Sequence, residues 1–352
     1  MSATGRVARL ADVAEAAGVG TSIASRVLNG DPTVSIRPET RERIVLAAGR
    51  LNYRPNAFAR GLKLARTMTL GMVIPNLAYP VNAEIIRGAE RQAAAAGYVM
   101  LLADAEEFLQ TGEAYRRLLR ERRVDGLLIA SASMSEGFLE ELASQPLPFV
   151  LVNRRVPHVG PSVSVDDARG MRLAVEHLVA LGHRRIGHIA GPADADTARR
   201  RLTGFREGLR AARVRYSPEL VVEASFDEEG GFRAMERLLG VEPPPTAVTI
   251  WSLAAAVGAL AATGPGVAVP AALSIVAFHD APIAAYLDPP LTTVRMPLGE
   301  MAQRSVDMLL KLIAGQRVGS TVVRTAPVLV ERASTAPPPA GKRARLARAH
   351  RS

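Results

Sequence analysis

From Thr69 onward the chain alternates short apolar runs with helical patterns, and it does so twice. Leu70 to Ile74, Tyr98 to Ala103 and Gly126 to Ala130 are continuous apolar runs of strand length, separated by helical periodicity over Ala83 to Ala96 and Ala114 to Arg122. The order restarts with Ile186 to Ala190, Leu220 to Glu223, Ala247 to Ile250 and Ser274 to Phe278 as strands, and with Leu202 to Ala212, Gly231 to Leu239 and Ala255 to Ala262 as helices. Strands that are apolar at every position need cover on both faces, and helical connections make neighbouring strands parallel. The pattern therefore implies an α/β body of two lobes with parallel sheets. An internal echo relates them: Arg87-Gly88-Ala89, leading into Ala93 and Ala96, is matched by Thr203-Gly204-Phe205, leading into Leu209 and Ala212. Ligands of such lobes bind at the carboxyl ends of the strands, here in the cleft between lobes.

The residues before Thr69 read differently. Leu10, Val13, Ala14 and Ala17 form one apolar helical stripe, with Asp12 and Glu15 on the other face, and Gly18 ends it. A second helix has Ile23, Ala24, Val27 and Leu28 as its apolar side, Thr21, Ser22, Ser25 and Arg26 opposite, and Asn29-Gly30 as its stop. Two short helices joined through a glycine turn, the second presenting small polar groups and an arginine, have the make-up of a helix-turn-helix; an ordinary helical subdomain is the alternative. A third helix opens at Pro38 and is expected to bury Ile44, Val45, Ala48 and Leu51. Asn56 can cap a two-turn helix from Ala57 to Leu62, too short to be stable alone and expected to form only when something orders it.

Charge follows the same division. The first 66 residues carry eleven basic against five acidic side chains, and the segment after Arg332 adds five basic residues with no acid, so a near-neutral body has two cationic ends. That segregation is the footprint of a polyanion binder, with solvated charge of an arginine-rich chain as the alternative. No cysteine is present, which removes disulfides, thiolate metal sites and cysteine nucleophiles. The weakly polar run Leu253 to Ala262 falls short of the roughly 20 residues of a membrane span, and the first residues lack an apolar signal core. A cytoplasmic, nucleoid-associated protein with no membrane contact is expected.

Asp12-Val13-Ala14, Ala17-Gly18-Val19, Ser25-Arg26-Val27-Leu28-Asn29-Gly30, Glu39 to Arg43 and Tyr53-Arg54-Pro55-Asn56-Ala57 together resemble the headpiece and hinge of the lactose-repressor/galactose-repressor family. Gly71 to Pro75, Arg123 to Leu127, Leu181-Gly182-His183, Gly191-Pro192 and Pro289 to Arg295 fall in the same family order, so the resemblance covers all but the extreme N-terminus and the tail after Thr335. It implies a helix-turn-helix headpiece over 1–52, a hinge over 53–67 and a two-lobed, periplasmic-binding-protein-like body over 68–335. Lobe 1 would comprise about 68–165 and 296–326, lobe 2 about 166–295 and 327–335. Beyond the resemblance, 336–352 is proline-rich and then basic, so a disordered tail that adds nonspecific DNA affinity is expected, with a solvated end of no role as the alternative. Function follows as an expectation: a repressor that binds double-stranded, pseudo-palindromic operator DNA as a homodimer or tetramer, its affinity set by a small-molecule effector.

Carried over residue by residue, Thr21, Ser22 and Arg26 occupy the base-reading positions, and Arg26 is the strongest specificity determinant because a guanidinium can take guanine O6 and N7 together. Leu62 matches a leucine inserted into the minor groove, Asn56 a hinge residue near the backbone, and Arg54 and Arg60 would add phosphate contacts. Departures occur. Gly20 replaces the usual serine before the recognition helix, leaving Thr21 to cap it; Ile23 stands for a threonine and Gly61 for a serine.

The effector pocket departs further. Its first loop reads Ala78-Tyr79-Pro80-Val81-Asn82, Ser252-Leu253 replaces an Asn-Asp pair, and His279 replaces an aspartate. Arg154, Thr197, Arg201 and Phe226 remain at positions that resemble pocket contacts. With Arg154, Arg201 and a titratable His279 but fewer acids, the pocket is expected to prefer an anionic or aromatic ligand to a neutral sugar. The alternatives are a decayed pocket with constitutive or partner-controlled repression, and, from other classes, a solute-binding module or an enzyme with a sensor domain. His183 and His188 lack metal-site spacing, Asp166-Asp167 reads as a hydrogen-bonding pair at the lobe crossover, and no cofactor, metal or catalytic constellation is expected.

Overall fold

The computed structural model describes residues 8–31, 33–53, 66–77, 79–105, 123–130 and 136–339. The expected helices over 57–62 and 114–122, hinge residues Arg54, Asn56, Arg60 and Leu62, and the tail from residue 340 lie outside these. The chain divides into two units, Met1–Met68 and Thr69–Ser352.

The first unit holds α1 (Leu10–Ala16), α2 (Thr21–Leu28) and α3 (Pro38–Arg50). Gly18 adopts φ +61°, which lets the Val19 N–H reach back to the Ala14 carbonyl and close α1. Val13, Ala14, Ala17, Ala24, Val27, Val34, Ile44, Ala47 and Ala48 form one core, with Leu10, Leu28 and Tyr53 packed at its edge. Three apolar residues assigned to this core from periodicity lie outside it. Ile23 is 39% exposed, Val45 54% and Leu51 38%, while Ala47 is buried. With alanines at the crossings the helices approach closely, and a narrow stripe of small residues suffices to fill the interior.

The body contains two six-stranded sheets. The first joins β1 (Thr69–Ile74), β2 (Val99–Asp104), β3 (Gly126–Ile129), β4 (Phe149–Val152), β5 (Ser162–Ser164) and β11 (Thr321–Val322) in the order β11-β5-β4-β3-β1-β2, all parallel. The second joins β6 (Ile186–Ala190), β7 (Val221–Glu223), β8 (Ala247–Ile250), β9 (Ser274–Phe278), β10 (Thr292–Arg295) and β12 (Val328–Val330) in the order β12-β10-β9-β8-β6-β7, with only β12 antiparallel. Helices α4 (Pro80–Ala95), α5 (Glu136–Ala143) and α10 (Leu298–Ile313) belong with the first sheet; α6 (Asp167–Ala180), α7 (Asp196–Ala211), α8 (Glu228–Leu239) and α9 (Leu253–Thr263) belong with the second. The chain passes between sheets after β5, after β10 and after β11. Among the described residues no helix is long and apolar enough to cross a membrane.

The echoed glycines have a shared job. A Cβ on Gly88 in α4 would strike the Gly299 backbone of α10, and one on Gly204 in α7 would strike the Ala168 backbone of α6. Each lobe thus brings two helices into backbone contact at the same point of the repeat. Helix α7 starts at Asp196, six residues before the apolar periodicity becomes visible, because its first turns are charged and satisfied by ion pairs rather than by an apolar stripe. Among the described residues, only the first of the expected tail is seen to be held in place: Ala336 N–H donates to Ser274 Oγ at 3.0 Å and its carbonyl accepts from His183 Nε2 at 2.9 Å.

Candidate functional site

In the first unit, α2 presents Thr21, Ser22 and Ile23 to solvent, with Arg26 half-buried one turn on. Gly20 is the N-cap and no side chain caps the helix; Thr21 is the first helical residue and does not take over the missing hydroxyl's role. Arg26 is held by its own loop: Nε donates to Asp31 Oδ2 at 2.9 Å and Nη2 to Thr33 Oγ1 at 2.8 Å. Bonds from the Thr33 hydroxyl, Arg26 and the Thr33 N–H keep the Asp31 carboxyl far below the usual carboxylate range.

In the body, the carboxyl ends of β6, β8 and β9 and the first turns of α6 and α7 build a dense polar cluster around Arg201. This guanidinium is 2% exposed. Its Nε donates to Asp167 Oδ1 at 2.8 Å, Nη1 to the Trp251 carbonyl at 2.6 Å and Nη2 to His279 Nε2 at 3.0 Å, while its carbon lies 4.1 Å from the Phe278 ring centroid. Burial opposes the charge and the fully buried Asp167 carboxylate supports it. Asp167 also takes Arg200 Nη1 at 2.6 Å, and neighbouring Asp166 caps α6 by accepting from Arg169 N–H at 2.9 Å. The crossover pair is therefore structural: one carboxylate ends a helix and the other neutralises two arginines.

An arginine can only donate, so His279 Nε2 must be the acceptor and the ring proton sits on Nδ1. Burial, then the Arg201 charge, push the His279 pKa well down, which makes it a fixed neutral donor rather than the titratable group expected from sequence. That Nδ1, and Nε1 of the single tryptophan Trp251, are buried without a hydrogen-bond partner among the described residues. Phe226 is half exposed and meets Trp251 edge-on, centroids 5.1 Å apart.

The remaining expected contacts are distributed unevenly. Tyr79, on the loop after β1, reaches the other lobe, where its Oη accepts the Ala254 N–H at 3.0 Å at the start of α9; burial raises its pKa. Ser252 caps the same helix by accepting from Ala255 N–H at 3.2 Å. Asn82 spends its amide on the Pro75 carbonyl at 2.5 Å and the Asn76 carbonyl at 3.0 Å, so it braces the β1–α4 loop. Thr197 is buried in the first turn of α7, and Arg154 is buried just after β4. Arg200 adds a second tie between lobes through the Asn153 carbonyl at 3.0 Å. His183 bonds Thr246 Oγ1 at 2.9 Å, and His188 bonds Thr249 Oγ1 at 2.9 Å and stacks on Phe205 at 4.8 Å. Trp251 is missing from the sequence expectations, its only signal being a lone tryptophan directly after an apolar strand, and Asp167 was expected as half of a hydrogen-bonding crossover pair but not as the partner of Arg201.

The profile described as "Bacterial regulatory proteins, lacI family" matches residues 9–56, and "Periplasmic binding protein-like domain" matches 175–335. The HTH-type transcriptional repressor PurR of Edwardsiella ictaluri is 33% identical over 337 residues, covering 95% of this chain and 98% of that one. The chain belongs to the LacI family. As a LacI-family member it is a DNA-binding transcriptional regulator. The HTH-type transcriptional repressor CytR of Escherichia coli K12 is 34% identical, covering 89% and 92%. Among solved structures, the Lac repressor dimer bound to operator and the anti-inducer ONPF superimposes with a TM-score of 0.78 at 30% identity, covering 94% of this chain and all of that one.

Proposed function

We propose that the protein represses transcription by binding a pseudo-palindromic operator as a homodimer, residues 1–52 reading the major groove and 53–67 forming the hinge, with a small molecule between the lobes setting the affinity. The observation that carries this reading is the exposed face of α2, where Thr21, Ser22 and Ile23 stand free on a rigid three-helix core. The dimer is supported by the edge strand β2, which leaves Val99, Leu101 and Leu102 exposed. A cytoplasmic, nucleoid-associated location follows from the DNA target.

The effector is an uncharged planar aromatic with carbonyl or ring-nitrogen acceptors. Arg201 is neutralised by Asp167, which argues against a pocket built for an anion, whereas His279 Nδ1–H and Trp251 Nε1–H are donors awaiting acceptors and Phe226 offers an aromatic face. A ligand-independent regulator is favoured by one observation, that Tyr79 already occupies the α9 N-terminus.

Selection from a random duplex pool tests the DNA reading: a symmetric site with a flexible pyrimidine–purine centre is expected, and no enrichment refutes it. Calorimetry with nucleobases, sugar acids and hexoses tests the pocket. Binding confined to the aromatic heterocycles supports the proposed class, tight binding of a hexose or sugar acid overturns it, and no binding by any of them favours the ligand-independent regulator.

A further inference from the structure

The loop between α2 and α3 holds a closed ring of hydrogen bonds on the reading surface. Arg26 Nε donates to Asp31 Oδ2 at 2.9 Å, and Arg26 Nη2 donates to Thr33 Oγ1 at 2.8 Å. The Thr33 hydroxyl in turn donates a hydrogen bond to Asp31 Oδ1 at 2.7 Å, and the Thr33 N–H reaches the same oxygen at 2.9 Å. A guanidinium has two usable edges in one plane. The long edge is formed by Nε–H and one Nη2 hydrogen, the end by Nη1 and the second Nη2 hydrogen. Asp31 and Thr33 take the whole long edge. The end remains, and it is a two-donor fork that matches guanine O6 and N7.

We infer that Asp31 and Thr33 are positioning residues for base readout: they lock the Arg26 plane so that only its end fork meets the base. The inference rests on the reading of Arg26 as a guanine reader and adds how that arginine is made selective. A free arginine carries about 2 kcal/mol of rotamer entropy and can satisfy itself on a phosphate as readily as on a base. Held by two atoms of its own loop, Arg26 has less freedom to turn away from the base toward a phosphate. The carboxylate has a second effect, because a negative charge on a surface that approaches DNA opposes nonspecific binding. The Asp31–Thr33 pair therefore trades total affinity for discrimination, and the two consequences have opposite signs.

That opposition supplies the test. Dissociation constants of the full-length protein are measured on the selected operator, on the operator with each base pair replaced in turn, and on a random duplex at one salt concentration. Arg26→Ala should abolish discrimination at one base pair; if it does not, the base-reading assignment itself fails, and this inference with it. Given that loss, Asp31→Ala should lower discrimination at the same base pair by about two- to fivefold while tightening random-duplex binding. Asp31→Ala also removes the acceptor for the Thr33 N–H, so Thr33→Val serves as the second variant: it deletes the hydroxyl, keeps the backbone bond and leaves the charge alone. It should lower discrimination at that base pair with random-duplex affinity unchanged, and Thr33→Ser should restore it. Wild-type discrimination in both Asp31→Ala and Thr33→Val, or an equal loss at every base pair, would overturn the inference.

Discussion

Replacing Asp167 by Asn keeps the side-chain volume and removes one buried negative charge. Two guanidiniums depend on that charge, but unequally. Arg200 also reaches Asp196 Oδ2 at 3.1 Å, the Val165 carbonyl at 2.9 Å and the Asn153 carbonyl at 3.0 Å, and it retains some contact with solvent. Among the described residues Arg201 has no second carboxylate: its other partners are the neutral Trp251 carbonyl and His279. Asp167→Asn therefore strands a cation that is 2% exposed, and breaking a buried pair from one side costs about 3–5 kcal/mol. At about 2–4 °C per kcal/mol for a domain of this size class, the unfolding temperature should fall by about 6–20 °C. Trp251 lies in the cluster and is the chain's sole tryptophan, so its fluorescence reports unfolding of this lobe directly. Adding Arg201→Met to Asp167→Asn removes the stranded charge and should recover at least half of the loss, the lost bonds to Trp251 and His279 accounting for the rest. A fall of under about 2 °C in the single variant, or a double variant no more stable than the single, would refute the claim that Asp167 compensates Arg201.

His188 is buried neutral with its pKa pushed down to about 3, chiefly by burial, so between about pH 6.5 and 3 the unfolded chain binds a proton that the native state refuses. Stability should drop by about 2 kcal/mol from this group on going from pH 7.5 to 5, and His188→Gln should show a correspondingly flatter pH profile in urea unfolding; identical profiles would contradict it. Tyr79→Phe removes the acceptor for the Ala254 N–H and should cost about 1 kcal/mol in the same assay. Gly204→Ala drives a methyl into the Ala168 backbone and should destabilise the body by about 1–3 kcal/mol. Gly49→Ala, on a part of α3 with open space around it, should stabilise the headpiece by about 0.5–1 kcal/mol, and thermal melts of both would expose a reversed order.

The apolar strands β1, β6, β8 and β9 were readable because a parallel strand covered on both faces has no other way to be written. The helix-turn-helix was readable for the same kind of local reason, a stripe ended by a glycine with positive φ. Arg201 is legible in the sequence as a cleft residue, but its pairing with Asp167 is not. Its partners lie 34, 50 and 78 residues away in sequence, and no local pattern announces that an arginine in a cleft is already neutralised. Ile23 and Val45 fail in the opposite direction: they continue an apolar periodicity, but alanines at the crossings leave them no interior to enter. Tyr79 is the N-cap of α4 and Asn82 lies in its first turn, yet Asn82 braces the preceding loop while Tyr79 crosses to the second lobe, a split that their closeness in sequence does not announce.

The three passages of chain between the sheets, after β5, β10 and β11, have a mechanical consequence. Two bodies on a single tether can wag and twist in any direction, and a ligand bridging them would transmit only loosely defined motion. Three connections restrict the relative motions of the two lobes far more than one does, and leave fewer directions in which they can open. A small molecule that gripped both lobes would then have few coordinates to pull on. Its chemistry would decide how far the lobes move, while the order in which the chain visits the two sheets would narrow the path of that movement.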